Sequence, residues 1–238
     1  MYKGKKVSLI LPAYNEEESI TSVILGFTRI GLVDEIVVVN NNSTDKTESL
    51  AKGTGKARVV AEKKRGYGYA LRRGLSTAKG DILVMCDADN TYMPADLKKL
   101  LAYLGKYDFI FGTRVNPKYL LKGSTMGLVR RWANILVSTL ISILFKGPIL
   151  TDAGATFRVF ERRKYEKIKR GFTTGGINFQ PELTILALTN GFKVKEVPVR
   201  YGPRKGLSKI SGSTLGGAKT AVAMVSLIIE HRFSVQPR

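Results

Sequence analysis

The sequence predicts an α/β protein built on a mainly parallel, Rossmann-like sheet flanked by helices. Two observations carry this prediction: short β-branched runs recur along the first half of the chain, and helix-length segments with their own start signals separate them. A third supports it. At 238 residues, 44% hydrophobic and 24% charged, the chain has the size and composition to bury one sizeable core.

Val7-Ser8-Leu9-Ile10-Leu11 reads as a buried strand ending at Pro12, and a helix is expected from Glu16 to about Ile30 with Asn15 as its cap. Glu35 to Val39 is the second strand, with a helix beginning at Thr44 or Asp45. Arg58-Val59-Val60 is the third, followed by a helix from about Tyr67 to Ala78. Asp81 to Cys86 is the fourth, and Pro94 opens a helix at the position proline favours. Asp108 to Phe111 is the fifth. Alternation of this kind implies right-handed crossovers between parallel strands. An irregular loop over 116–127 then precedes a long apolar helix, Leu128 to Phe145. Further strands are expected at Thr156 to Phe160 and Val194 to Tyr201, with helices at Phe179 to Thr189 and Thr214 to Arg232. The domain reading is one catalytic unit over 1–212, carrying an acceptor loop (116–127) and an interfacial helix (128–146), then an apolar helix and tail over 213–238.

A formal charge of +20 attracts polyanions: nucleic acid, anionic lipid or phosphorylated substrate. The basic residues are spread along the chain, and no aromatic-basic interleaving or nucleic-acid motif accompanies them, so nucleic acid is not the expected partner. The single cysteine, Cys86, excludes an internal disulfide framework and sits in a buried apolar run. The lone histidine, His231, has no partner at metal-ligand spacing and reads as surface or packing. Met1 to Lys6 leads straight into a strand, so no secretory leader is expected. The apolar stretches Trp132 to Phe145 and Ala221 to Ile229 fall short of the roughly 20 residues a span needs.

Ligands of open parallel sheets bind at the carboxyl ends of the strands. After the first strand stands Pro12-Ala13-Tyr14-Asn15-Glu16, without the glycine-rich turn of a dinucleotide-binding protein, which argues against an NAD-dependent dehydrogenase. The fourth strand ends in Asp87-Ala88-Asp89. Two carboxylates so close repel unless a cation binds, and Mg²⁺ or Mn²⁺ prefers such oxygen ligands and bridges to phosphates. The alternative is a turn in which Asp89-Asn90 caps toward Pro94.

At this point the chain resembles the inverting glycosyltransferases of the GT-A fold and, among them, the polyprenyl-phosphate (dolichyl-phosphate) mannose and glucose synthases. The matching segments are Leu11-Pro12-Ala13-Tyr14-Asn15-Glu16, Val39 to Asp45, Gly66-Tyr67-Gly68-Tyr69-Ala70 with Gly74, Asp87-Ala88-Asp89, Thr151-Asp152 with Phe157-Arg158, Gln180-Pro181-Glu182, and Glu196 to Val199 leading to Arg204 to Lys209. The resemblance implies transfer of a hexose from a GDP- or UDP-sugar to a polyprenyl phosphate, on the cytoplasmic side of a membrane. It places Pro12, Tyr14, Glu16 and Asn40 around the nucleotide, and Asp87 on both nucleotide sugar and metal. Asp89 joins it on the metal, and Arg158, Arg204 and Lys209 serve as cationic contacts to phosphate. Asp152 matches an aspartate near the acceptor. It is a general base where the acceptor is a hydroxyl, whereas a lipid phosphate is already an anion and leaves it only a positioning role. Relatives carry an aspartate early in the stretch that is Asn40-Asn41-Asn42 here, which leaves uracil or guanine open. A saccharide or small hydroxyl acceptor is the alternative for the same fold and donor. Arg130-Arg131-Trp132 opens the long apolar helix, the pattern of a helix lying among anionic head groups.

Overall fold

The computed structural model describes residues 1–206 and 214–234. Its strands are β1 (Val7–Ala13), β2 (Glu35–Asn40), β3 (Arg58–Ala61), β4 (Ile82–Met85), β5 (Phe109–Thr113), β6 (Arg158–Glu161) and β7 (Val194–Pro198). The helices are α1 (Ile20–Arg29), α2 (Thr47–Gly53), α3 (Tyr67–Thr77), α4 (Leu97–Leu101), α5 (Leu128–Leu144), α6 (Arg162–Ile168), α7 (Phe179–Thr189) and α8 (Thr214–Ser234).

Among the described residues the strands form one sheet in the order β3-β2-β1-β4-β6-β5-β7. All neighbours are parallel except β6, which runs antiparallel to both β4 and β5. The mainly parallel sheet is as expected, and the reversal of β6 has a local cause. After β5 the chain does not cross back beneath the sheet but builds α5 at the carboxyl end of the strands. It therefore re-enters the sheet from that end. The segment that leads into β6, 151–157, is thus delivered to the edge where parallel sheets bind their ligands.

Alternate residues of each strand feed opposite layers, as the pleat requires. Leu9, Leu11, Ile36 and Val38 join α1, α2 and α4 in one buried cluster. Ile10, Val37 and Val39 join α3, α6 and α7 in the other. Gly74 of α3 lies flat on β1, because a Cβ there would stand 2.3 Å from Ile10 Cγ2.

Helix α1 begins later than expected. Asn15 adopts a left-handed backbone (φ +52°) and ties the β1 loop to the β2 loop, donating to Thr44 Oγ1 at 3.2 Å and accepting from Thr44 N at 2.7 Å. It is a loop knot and not the helix cap. His231 is buried on α8, its Nε2 3.2 Å from Glu182 Oε1, and so packs α8 against α7.

Asp96, fully buried at the start of α4, clamps the end of β7 through Arg200 N (2.6 Å), Nε (3.1 Å) and Nη2 (3.0 Å) and through Lys99 (3.0 Å). Burial alone would raise its pKa, but the Arg200 and Lys99 donors outweigh it and hold the carboxyl below the ordinary value. A depressed carboxyl contributes stability above its unfolded pKa, and that contribution disappears as pH falls through the folded value. Asp96→Asn is therefore expected to lose about 1–3 kcal/mol at pH 7. The gap in melting temperature from wild type should close as pH is lowered below the ordinary Asp range. A gap that is flat in pH would refute the ionic clamp.

Helix α5 is inverted relative to an ordinary surface helix. Its buried edge is Ser138, Ile141 and Ser142, where both serine hydroxyls bond to backbone groups. Its outer face shows Leu128, Trp132 (68% exposed), Leu136 (72%) and Ile143, and α8 adds Val225, Ile229 and Phe233 (81%). Among the described residues no helix is long and apolar enough to cross a membrane.

Candidate active site

The carboxyl ends of β1, β2 and β4 converge with segment 151–157 and with the stretch that follows β7. Glu16 ends the β1 loop, its amide donating to Thr47 Oγ1 at 2.7 Å. Arg204 bridges two acidic groups: Nη2 meets Glu16 Oε1, and Nη1 meets Asp89 Oδ2 at 2.9 Å. The other oxygen of Asp89 accepts from Thr91 Oγ1 at 2.6 Å and Thr91 N at 3.1 Å. Glu16, Asp89 and Arg204, far apart in sequence, therefore meet. Tyr14 stands beside them with the Arg65 guanidinium 5.0 Å above its ring, and Pro12 is buried within β1.

Asp87 lies at the base of the same corner. Burial first, and then the charge of Asp89, push its carboxyl up to about 6. Two acidic groups in mutual repulsion, with an arginine already drawn in between Asp89 and Glu16, are a donor set that a divalent cation fits. Among the described residues no three potential ligands cluster. The protein would supply Asp87 and Asp89, and phosphate oxygens and water would supply the rest, as Mg²⁺ and Mn²⁺ commonly require.

Asp152 is fully buried and its carboxylate is filled. Oδ2 accepts from Arg114 N (2.9 Å) and Nε (2.8 Å); Oδ1 accepts from Arg114 Nη2 (2.7 Å) and from Asn134 Nδ2 of α5 (3.1 Å). A carboxylate has about four acceptor positions, and here all four are used. Glu196 in turn holds the backbone of this segment, taking Thr151 N at 2.8 Å and Asp152 N at 2.7 Å.

Two expectations are corrected. Arg158 is not a phosphate contact: it is fully buried, 3.9 Å from the Phe111 ring centroid, and donates to Ala153 O, Ala155 O and Thr184 Oγ1. Burial pulls its guanidinium down to about 9. Its long side chain lies at a strand start within the sheet, so it braces segment 153–155 from below. Asn40 does not present its amide to a nucleotide base, because Nδ2 donates to Glu48 Oε2 and Oδ1 accepts from Ser43 N at 3.0 Å. Asn41 and Asn42 bond to backbone carbonyls of 62–64, so these two amides staple the loop after β2 to the one after β3. Asp152, expected either as a base or as a positioning group, has all four of its acceptor positions occupied by Arg114 and Asn134. Lys209 lies outside the described residues, as does the expected boundary at 212–213.

The residues missed are Arg114 and Tyr67. Arg114 follows the carboxyl end of β5, the place where site residues gather, but one arginine in so basic a chain carries little signal. Tyr67 donates to Asp87 Oδ1 at 2.6 Å from the first residue of α3.

The model of a protein family described as glycosyl transferase family 2 matches residues 8–169. The chain belongs to that family. It is a glycosyltransferase of GT-A fold. A dolichyl-phosphate hexose transferase of Haloferax volcanii is 30% identical over 233 residues, covering 97% of each chain. A polyprenol monophosphomannose synthase of Mycolicibacterium smegmatis is 31% identical over 241 residues, covering 92% of this chain and 86% of that one. Among solved structures, glucosyl-3-phosphoglycerate synthase of Mycobacterium tuberculosis, in complex with Mn²⁺, UDP and phosphoglyceric acid, superposes with a TM-score of 0.75 at 24% identity. It covers 98% of this chain and 80% of that one. At that identity the likeness is one of fold.

Proposed function

We propose that the chain transfers a hexose from a nucleotide-diphosphate sugar to a polyprenyl phosphate, with a divalent cation on the donor diphosphate, peripherally on the cytoplasmic face of the cell membrane. The observation that carries this reading is the filled carboxylate of Asp152. A hydroxyl acceptor needs a base to take its proton, and Asp152 and Glu196 both have their oxygens bound by other groups. A lipid phosphate is ionised at neutral pH and attacks the anomeric carbon without one. The names of the two lipid-phosphate relatives point the same way.

Asp87 and Asp89 would hold the cation, which when bound neutralises charge on the departing nucleoside diphosphate. Arg204, now on Asp89 and Glu16, is placed to shift onto a donor phosphate. Pro12, Tyr14 and Glu16 line the nucleotide end. On the acceptor side Asn134 ties α5 to Asp152, and Lys122, Arg130 and Arg131 stand near the start of the same helix. The outward apolar stripe of α5, continued by α8, suits a helix pair lying in the head-group region, with the cations meeting anionic lipid. That arrangement would bring a phosphate at the bilayer surface to the mouth of the site.

The test uses purified protein, labelled UDP-glucose and GDP-mannose, and polyprenyl phosphate in phosphatidylcholine–phosphatidylglycerol vesicles. One donor is expected to yield glycolipid in the presence of Mg²⁺ or Mn²⁺ and none after chelation. Trp132→Asp should weaken vesicle binding roughly ten- to hundred-fold, since burying such a side chain is worth about 1.5–3 kcal/mol. Donor turnover onto a soluble hydroxyl acceptor and not onto the lipid would overturn the reading.

A further inference from the structure

The start of α3 is held unusually firmly. Gly66 takes φ +149°, and its amide donates to Asn41 Oδ1 at 2.9 Å. Gly68 meets the loop before α7 so closely that a Cβ would stand 2.8 Å from the Gly175 carbonyl carbon. Tyr69 N donates to Gly175 O at 3.1 Å. Between these ties lies Tyr67, whose phenol is carried on a fixed backbone to the corner of Asp87. There it donates to Asp87 Oδ1 at 2.6 Å and touches Thr156 Oγ1. Thr156 is itself set by Tyr92, whose phenol oxygen accepts from the Thr156 amide at 3.2 Å.

We infer that Tyr67 is a positioning residue for the cation on the donor diphosphate: its phenol fixes one oxygen of Asp87 so that the other faces the bound nucleotide. The inference rests on the glycosyl-transfer reading above. The physical need is plain. Asp87 and Asp89 repel each other, so an Asp87 without a donor behind it would rotate away from its neighbour and lose the geometry the two share. Asp89 has Thr91 behind it in the same way. Each carboxylate thus has one oxygen taken by a hydroxyl on the protein side. A tyrosine that merely satisfied its own hydroxyl in the core would serve stability and would be indifferent to metal.

The two roles separate in a titration that needs no turnover. Mn²⁺ is added to full-length Tyr67→Phe with UDP or GDP present, and free Mn²⁺ is followed by its electron paramagnetic resonance signal. Loss of such an outer partner typically weakens metal binding 10–100-fold, and that weakening is expected here. In the transfer assay the Mn²⁺ requirement should rise by a similar factor while kcat at saturating Mn²⁺ recovers toward wild type. Thr156→Val, which keeps the phenol but removes the hydroxyl against it, should shift Mn²⁺ affinity in the same direction by less. Tyr92→Phe removes the acceptor behind the Thr156 amide and leaves the phenol of Tyr67 on Asp87, so it should weaken Mn²⁺ affinity far less than Tyr67→Phe. Unchanged affinity in folded Tyr67→Phe, or equal weakening in Tyr92→Phe, overturns the inference. A wild-type protein that takes up no Mn²⁺ with either nucleotide overturns instead the metal reading beneath it.

Discussion

Asp89→Ala is expected to lower hexose transfer about 10³-fold, close to 4 kcal/mol of transition-state stabilisation, with the protein still folded. Asp89 is the member of the acidic pair that Arg204 engages, through Oδ2 at 2.9 Å. Under the proposed reading Asp89 would help hold the cation, which would offset the charge that accumulates on the leaving diphosphate. Without it the leaving group departs against its own charge, and added Mn²⁺ should restore little. The fold should survive because Arg204 keeps Glu16 and because the truncation removes one of two mutually repelling carboxylates. The check is kcat at saturating donor across a Mn²⁺ series, beside a thermal melt. A folded Asp89→Ala enzyme with undiminished transfer would sink the assignment of the metal corner.

What could be read from the sequence was what local periodicity encodes. The β-branched runs at Leu9–Leu11 and Val37–Val39 announce strands because alternate residues must fill two layers, and both layers are there. Helix α7 has the bounds the sequence predicts, Phe179 and Thr189; Glu16, Asp89 and Arg204, which only the family resemblance brings to one site, meet in the fold. What escaped was decided by distant partners. Asn15 has every credential of a helix cap, but Thr44 competes for its amide and wins. Arg158 looks like any cation of a basic chain until β6 reverses and carries it into the core beside Phe111. The Asn40–Asn42 run offers donors and acceptors to a ligand on paper, and in the fold the 62–64 backbone and Glu48 take them. Arg114 was invisible for the same reason: its meaning lies entirely in Asp152, on a segment that returns only after α5.

That pair yields the largest expected loss of stability. Arg114 is 12% exposed and Asp152 is fully buried, and three of the four hydrogen bonds to the carboxylate come from Arg114, one through its backbone amide. Burial works against the arginine's charge, but the Asp152 carboxylate outweighs it and keeps the guanidinium firmly protonated. Arg114→Ala strips both guanidinium bonds from a charge that has no water to turn to, at an expected cost of about 3–5 kcal/mol. For a chain of this size that lowers the melting temperature by roughly 10 °C. Arg114→Lys should recover only part, since one ammonium cannot reproduce a two-pronged grip. Arg114→Met combined with Asp152→Asn should melt above Arg114→Ala, because the penalty belongs to an unpaired charge and disappears when the charge does. In the same assays Asp152→Asn alone should cost stability, since its amide nitrogen would face the arginine's own donors. Any fall in transfer should then reflect displacement of segment 151–157 and should not vary with the basicity of the acceptor. If Arg114→Ala instead melts with the wild type, Asp152 is not held as an ion pair. Its oxygens would then be available to a substrate proton, and a hydroxyl acceptor would regain the base that the filled carboxylate denies it.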